Sequence, residues 1–386
     1  MDGMVGTKST LTWAVHISVA LLVALWLFPT VGLFVSSFRT ADQISGSGWW
    51  ASLSSSEQVL QLRTGGAAEA VREGDLYVVT GNLLTDGEDA PGSDITVGAF
   101  GTSSRGLGAY QPGDTVEPGE GEVLTLQADG SYRLTSVEEP GRRGQRVFVT
   151  AEIPPEFTLD NYKTILFSGQ GQDNMAKAFF NTLTVTIPAT IIPIVVAAFA
   201  AYALAWMNFP GRAVLIAIVV GLLVVPLQLA LIPLLKLHLN IGIGKGYLGV
   251  WLAHTGFGLP LAIYLLRNYM VGLPRDIIEN AKVDGATDFQ IFTRIILPLS
   301  FPALASFAIF QFLWTWNDLL VAKVFLIDAT GKTTVMTNQI VELLGTRGGN
   351  WEILATAAFI SIAVPLGVFF AMQRYLVRGL LAGSVK

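Results

Sequence analysis

Few residues in this chain are of types that do chemistry, and their spacing rules most chemistry out. His16, His238 and His254 lie far apart without ligand spacing, so no metal site is expected. The absence of cysteine excludes disulfides and thiolate sites. No Gly-x-Ser-x-Gly nucleophile turn occurs, and no catalytic residue is expected. Gly331-Lys332-Thr333 resembles the end of a phosphate loop, but Leu326 stands where that loop needs its first glycine, so a plain loop is expected. Two polar features remain. Asn317 and Asp318 end a long apolar run, where ionisable groups are costly and mark solute paths; the plainer reading is an interfacial anchor or an interhelical hydrogen bond. The second is the charged stretch Glu279–Leu299, which lies between two long apolar segments.

Those features must be positioned by a membrane. Apolar residues make up 52% of the 386-residue chain and charged ones 14%, against about 25% charged in soluble proteins. A spanning helix needs about 20 mostly apolar residues. Six segments qualify: Leu11–Phe38, Ala178–Met207, Ala213–Leu235, Tyr247–Tyr269, Leu297–Val321 and Leu354–Tyr375. Their prolines at 188, 193, 226, 233, 260 and 365 are expected as kinks that neighbouring helices accommodate. The first segment has only Lys8 as a preceding positive charge and is too long for a signal core, so it is expected to stay as an anchor. With the N-terminus inside, nine basic residues, Arg267, Arg275 and Lys282 among them, fall on the cytoplasmic side. Five fall in the short outer loops, so both termini are expected inside and Glu279–Leu299 in the cytoplasm. There Arg275 to Thr287 is expected to form a short helix within a 275–290 segment. Asp276 and Glu279 would sit at its positive end and Gly285 would give a left-handed stop.

Residues 39–175 differ in character, with 9 Lys+Arg and 20 Asp+Glu, a net of −11 against +6 for the rest. An inserted, acidic, β-rich domain outside the membrane is expected, between an N-terminal segment 1–38 and a five-helix core 176–386. Strands are predicted at Leu76–Thr80, Ile95–Phe100, Val123–Leu134 and Val147–Ile153. A three-residue loop, Ala128-Asp129-Gly130, pairs Leu126 with Tyr132 and Leu124 with Leu134 on one face, with Gly130 left-handed.

Glu279, Ala281, Gly285, Ile295, Leu297 and Pro298 stand at the spacing Glu-Ala-Ala, three residues, Gly, nine residues, Ile-x-Leu-Pro. This resembles the coupling motif of ABC importer permeases, with Asn280 in place of the first alanine. Phe157–Tyr162, Asn181-Thr182, Phe209–Arg212 and Trp316-Asn317-Asp318 are similar to further segments of that family, and the tail from Gln373 looks like the C-terminus of the smaller permease of maltose-type sugar importers. The long insertion and Gly48-Trp49-Trp50 look more like the α-glucoside branch.

The resemblance implies an all-α polytopic membrane protein, with the six helices of the type I importer fold plus the inserted β-rich domain. It implies a multi-pass subunit of a bacterial inner membrane that forms half of a sugar path. Its partners would be a second permease, two copies of an ABC ATPase, an extracytoplasmic sugar-binding protein and the lipid bilayer, with no nucleic acid. ATP and Mg would sit on the ATPase, leaving this chain without a cofactor. Glu279, Ala281, Asp284, Gly285, Ile295, Leu297 and Pro298 would couple to the ATPase, and Gly383, Ser384, Val385 and Lys386 would reach between its two copies. Gly345, Thr346, Arg347, Gly348, Gly349 and Asn350 would meet the binding protein. A membrane-anchored receptor using the β domain is the alternative; with about eleven residues after Tyr375, there is little room for a signalling domain.

Overall fold

A computed structural model describes residues 10–86, 90–92, 95–167, 175–326, 330–346 and 349–381. The chain divides into two compact units, residues 1–161 and 162–386.

The first unit begins with α1 (Thr10–Ser36), an apolar helix in which only Gly32 is buried. Trp49 lies over that glycine, where a Cβ would meet its indole nitrogen at 2.6 Å, and stacks obliquely on Phe28 at 4.5 Å. The chain then passes through α2 (Ala41–Gly46), whose N-terminus is capped by the Thr40 hydroxyl. Eight strands follow: β1 (Ser56–Arg63), β2 (Val71–Glu73), β3 (Leu76–Asn82), β4 (Thr96–Gly101), β5 (Thr115–Val116), β6 (Glu122–Leu126), β7 (Ser131–Ser136) and β8 (Arg146–Ile153). They form an antiparallel three-stranded sheet, β1-β8-β4, and a five-stranded one, β2-β3-β7-β6-β5. Alternating residues enclose one core around Val79, Phe100, Leu124, Leu134, Val147 and Val149. Each such side chain contributes about 1.5–3 kcal/mol on burial. The β6–β7 hairpin has the expected register, Leu124 opposite Leu134 and Leu126 opposite Tyr132, with Gly130 at φ +83°. β1 carries too little sequence signal to be expected. Its inward face holds Ser56 and Gln58 beside Leu60 and Leu62, so two polar residues dilute the apolar pattern; full-length pairing with β8 supplies what propensity lacks.

Entry and exit of this domain are stapled. Thr158 N–H donates to Phe38 O at 2.7 Å, and Asn161 Nδ2 donates to Ser37 O (3.0 Å) and Arg39 O (2.9 Å). Arg39 is buried, its guanidinium donating to Gln43 O and Ser47 Oγ at 2.6 Å. This closure puts the unit boundary at Asn161, ahead of residue 175.

Across that boundary runs α3 (Asp160–Phe167). The helical unit continues with α4 (Met175–Trp206), α5 (Arg212–Leu222), α6 (Leu227–Asn240), α7 (Tyr247–Val271), α8 (Arg275–Val283), α9 (Asp288–Ile291) and α10 (Leu297–Leu299). Then come α11 (Phe301–Trp316), α12 (Leu320–Phe325), α13 (Met336–Thr346) and α14 (Trp351–Leu381). Helices α1, α4, α7 and α14 are unbroken and long and apolar enough to cross a membrane. The third and fifth expected spans are bent instead. α5 and α6 meet at 111°, and residues 288–299 meet α11 at 69°. Pro226 stands at the first break and disfavours a helical Val225; Pro298 and Pro302 flank the second.

Three prolines inside helices have specific partners. A proline has no N–H and leaves the carbonyl four residues earlier without its usual donor. In α4, Pro188 frees Thr184 O, which accepts from Trp251 Nε1 of α7 at 2.9 Å. Pro193 frees Ala189 O, which accepts from Gln311 Nε2 of α11 at 3.1 Å. In α14, Pro365 frees Ser361 O, which accepts from Trp316 Nε1 at 2.9 Å. Each lost backbone bond is thus replaced by a side chain from another helix.

Candidate coupling site and the buried polar cluster

The charged segment is built in two halves. Arg275 to Val283 form α8, shorter than the expected Arg275–Thr287 because Gly285 stops it early. Gly285 has φ +81°; its N–H donates to Lys282 O (3.1 Å) and that of Ala286 to Ala281 O (3.0 Å). This pair of hydrogen bonds is the Schellman cap, with glycine at the left-handed position. A Cβ on Gly285 would meet nothing within 4 Å, so backbone conformation alone demands glycine. Asp284 occupies the helix C-cap. Thr287 then starts α9 with a capping box shared with Gln290.

Ile278 anchors α8 to a core containing Met270, Ile291 and Phe292, with Ala281 and Ala286 against its edge. Glu279 and Asp284 are exposed, as are the apolar Val283 (86%) and Phe289 (66%). Lys282 Nζ lies 3.7 Å from Asp288 Oδ1, a half-exposed pair contributing at most about 1 kcal/mol. Tyr202 OH at the end of α4 reaches the same carboxylate at 3.4 Å.

The second half is a hinge. Residues Phe292–Ile296 form a π turn in which Leu297 N–H reaches back to Phe292 O. Pro298 has no donor, the ladder breaks, and α11 departs at 69°. Ile295 and Leu297 pack on the same core as Ile278, while Pro298 is exposed. Glu279, Ala281 and Gly285 therefore shape a short exposed helix, and Ile295, Leu297 and Pro298 shape its connection to the bundle.

Asn317 and Asp318 end α11. Asn317 is exposed and its Nδ2 donates to Leu313 O at 2.9 Å. Asp318 turns inward: Oδ2 accepts from Ala322 N–H at 3.2 Å at the start of α12 and lies 3.7 Å from His254 Nε2 of α7. Their side chains are 8% and 1% exposed. Sequence reasoning misses His254 because its partner lies on a helix far along the chain. Asn181 is likewise invisible as a clamp: it donates to Lys332 O and Thr334 O, both at 2.9 Å, and accepts from Tyr247 OH. Thr182 beside it accepts from Met336 N–H at 2.9 Å. An apolar cavity of about 540 Å³ lies at the α5–α6 break, lined by Leu223, Leu227, Phe257, Pro260 and Trp314 among others.

The described residues expected in the outer loop lie at the ends of two helices. Gly345 and Thr346 close α13, and Gly349 and Asn350 precede α14, with Asn350 O accepting from Leu354 N–H. Arg347, Gly348, Gly383, Ser384, Val385 and Lys386 lie outside the described residues. Among the described residues no group of side chains has metal-ligand geometry.

Four long apolar helices, two bent helix pairs and a capped, exposed helix on a hinge are the features of a membrane-embedded helical protein. The family model for "Binding-protein-dependent transport system inner membrane component" matches residues 173–381, and the chain belongs to that family with its type I ABC importer permease fold. Over 385 residues, 98% of each chain, it is 60% identical to the alpha-glucoside transport system permease protein AglG of Rhizobium meliloti (strain 1021). It is 58% identical over 231 residues to the osmoprotective compounds uptake permease protein GgtD of Synechocystis, covering 60% of this chain and 76% of that one. The trehalose transport system permease protein SugB of Mycobacterium tuberculosis is 35% identical over 239 residues, 61% and 84% of the two chains.

Proposed function

We propose that this permease forms half of the path of an importer for α-glucosides, with ATP hydrolysis on a separate ATPase. The observation that carries the reading is the 60% identity to an α-glucoside permease over 98% of both chains, because that span includes the insertion. The test is reconstitution with its second permease, ATPase and binding protein into liposomes, followed by uptake of radiolabelled maltose, sucrose or trehalose against a β-glucoside. Uptake of the β-glucoside alone would overturn it.

In this reading α8 docks in a cleft of the ATPase. Val283 and Phe289 supply apolar contact, Glu279 meets a basic residue, and Ala281 with Gly285 permits close approach. Closure of the ATPase dimer, with ATP and Mg bound there, pulls α8 inward, and the π turn with Pro298 transmits the pull to α11. Asp318, Asn317 and their surroundings are candidates for the sugar path. Gly345, Thr346, Arg347, Gly348, Gly349 and Asn350 reach the binding protein, and Gly383 to Lys386 enter between the ATPase copies. Both termini are cytoplasmic, and the β domain stands on the opposite side of the inner membrane. Six spans supply half of a pathway, so a second permease completes it. The receptor alternative finds no support among the relatives.

A further inference from the structure

The β domain is strongly acidic, yet four of the nine basic residues within 39–175 gather at one end of it. Arg63 ends β1 and stands directly opposite Arg146, which begins β8. Arg142 and Arg143 occupy the two corner positions of the turn Gly141–Gly144, closed by Gly144 N–H donating to Gly141 O at 3.1 Å. All four arginines are exposed, and none makes an ion pair among the described residues. Arg133 on the neighbouring sheet, by contrast, is paired with Glu73 at 2.8 Å. Like charges placed directly across a ladder destabilise it. A sheet that keeps such a pair, and adds two more charges at the adjoining turn, carries a local cost, and among the described residues no carboxylate lies within ion-pair distance of the four.

The turn is held rigidly. Gly144 has φ +61°, and a side chain there would collide with the Thr64 carbonyl. Gln145 N–H donates to Thr64 Oγ1 (2.8 Å), Thr64 N–H to Gln145 O (3.0 Å), and Ala67 N–H to Gly141 O (3.3 Å). Arg63 Nη1 reaches Gly144 O at 3.3 Å. Four guanidinium groups carried on a held backbone suit carboxylates, which each can bind bidentately. The opposite ends of β1 and β8, Ser56 and Ile153, lie towards the neck at Phe38 and Thr158. Seven strand steps put the arginines about 23 Å along the sheet from that end, nearly three Debye lengths at physiological salt of about 8 Å each. The headgroups around α1 are therefore a poor partner, and a soluble one fits better.

We infer that Arg63, Arg142, Arg143 and Arg146 form a docking surface for a carboxylate-rich face of the soluble binding protein on which this family depends. The inference rests on the outward placement of the β domain proposed above. It makes the domain a second contact for the binding protein, one that raises its local concentration at the permease by electrostatic attraction.

The experiment uses the complete transporter in nanodiscs, with its purified binding protein as the probe and binding-protein-stimulated ATP hydrolysis as the readout. In the Arg142→Gln/Arg143→Gln variant the half-saturating concentration of binding protein should rise about five-fold at low salt. Its salt dependence should flatten, and Arg142→Lys/Arg143→Lys should restore most of both effects. An unchanged half-saturating concentration in the Gln variant overturns the inference. So does a loss that appears only in nanodiscs containing phosphatidylglycerol, which would make the cluster a lipid site. Labelling of Ser131→Cys by an impermeant maleimide in spheroplasts separates the two claims. A domain labelled from outside with no shift in half-saturation refutes docking alone, whereas a domain labelled only after lysis refutes the outward placement on which docking rests.

Discussion

At the scale of single residues, Gly285 and Gln311 make opposite demands. Gly285 is required for its backbone angle and has open space around it within this chain, so folding of α8 should follow left-handed propensity, and side-chain size should tell only where the ATPase approaches. Gly285→Asn should keep most sugar-stimulated ATP hydrolysis. Gly285→Val should lose much of it, because a β-branched residue is disfavoured there by at least about 1 kcal/mol. Gly285→Trp should abolish uptake while the protein still inserts; normal transport by that variant would remove α8 from the coupling role. Gln311 is required for a partner. Gln311→Leu leaves Ala189 O unsatisfied next to Pro193 and should cost about 1 kcal/mol, read as a lower unfolding temperature in detergent. In a Pro193→Ala background, the backbone N–H created at position 193 can donate to Ala189 O in place of Gln311. There the same change should cost distinctly less. Equal costs in the two backgrounds would show that Gln311 acts some other way.

At the scale of elements, what is legible in the sequence is whatever repeats locally. The long apolar runs, the hairpin with Asp129-Gly130 and the left-handed Gly285 are set by neighbours a few residues away, and the structure has the hairpin, the glycine and four of the six runs as unbroken helices. Pattern alone carries α8 on to Thr287, whereas it ends at Val283, because its amphipathic pattern continues past a cap that overrides it. The bends at Pro226 and Pro298 do not announce themselves as breaks, since proline is tolerated inside spans: α1 and α7 run unbroken through Pro29 and Pro260. Trp251, Gln311 and Trp316 carry no local signal, because each serves a carbonyl in a distant helix. The same holds for His254 facing Asp318. The neck can be tested by itself. Asn161→Ala removes two buried hydrogen bonds, to Ser37 O and Arg39 O. It should destabilise the junction by about 1–3 kcal/mol and speed proteolysis between α2 and β1, with Asn161→Asp at least as damaging, because its carboxylate faces the two carbonyl oxygens and can donate to neither. Unchanged proteolysis would mean that the Thr158–Phe38 bond suffices.

At the scale of the whole molecule, the cysteine-free sequence allows a clean test of sidedness. Ser384→Cys should react with an impermeant reagent only after permeabilisation, and the reverse would invert the proposed topology. Deleting Gly345 to Gly349 should slow uptake from the binding protein. Because Gly345 and Thr346 close α13, the deletion should also fray that helix, so co-elution with the ATPase is the control that separates lost docking from lost assembly. The neck matters at this scale too. Chain entering the β domain at Phe38 and chain leaving it at Thr158 are one hydrogen bond apart. The domain is therefore a cassette whose two ends already meet, and Trp49 within it covers Gly32 of the helix before it, so a linker in its place would have to cover that glycine too. With its two ends already joined, a domain of this kind is free to vary in length and sequence at its far end while the junction at Phe38 and Thr158 stays the same.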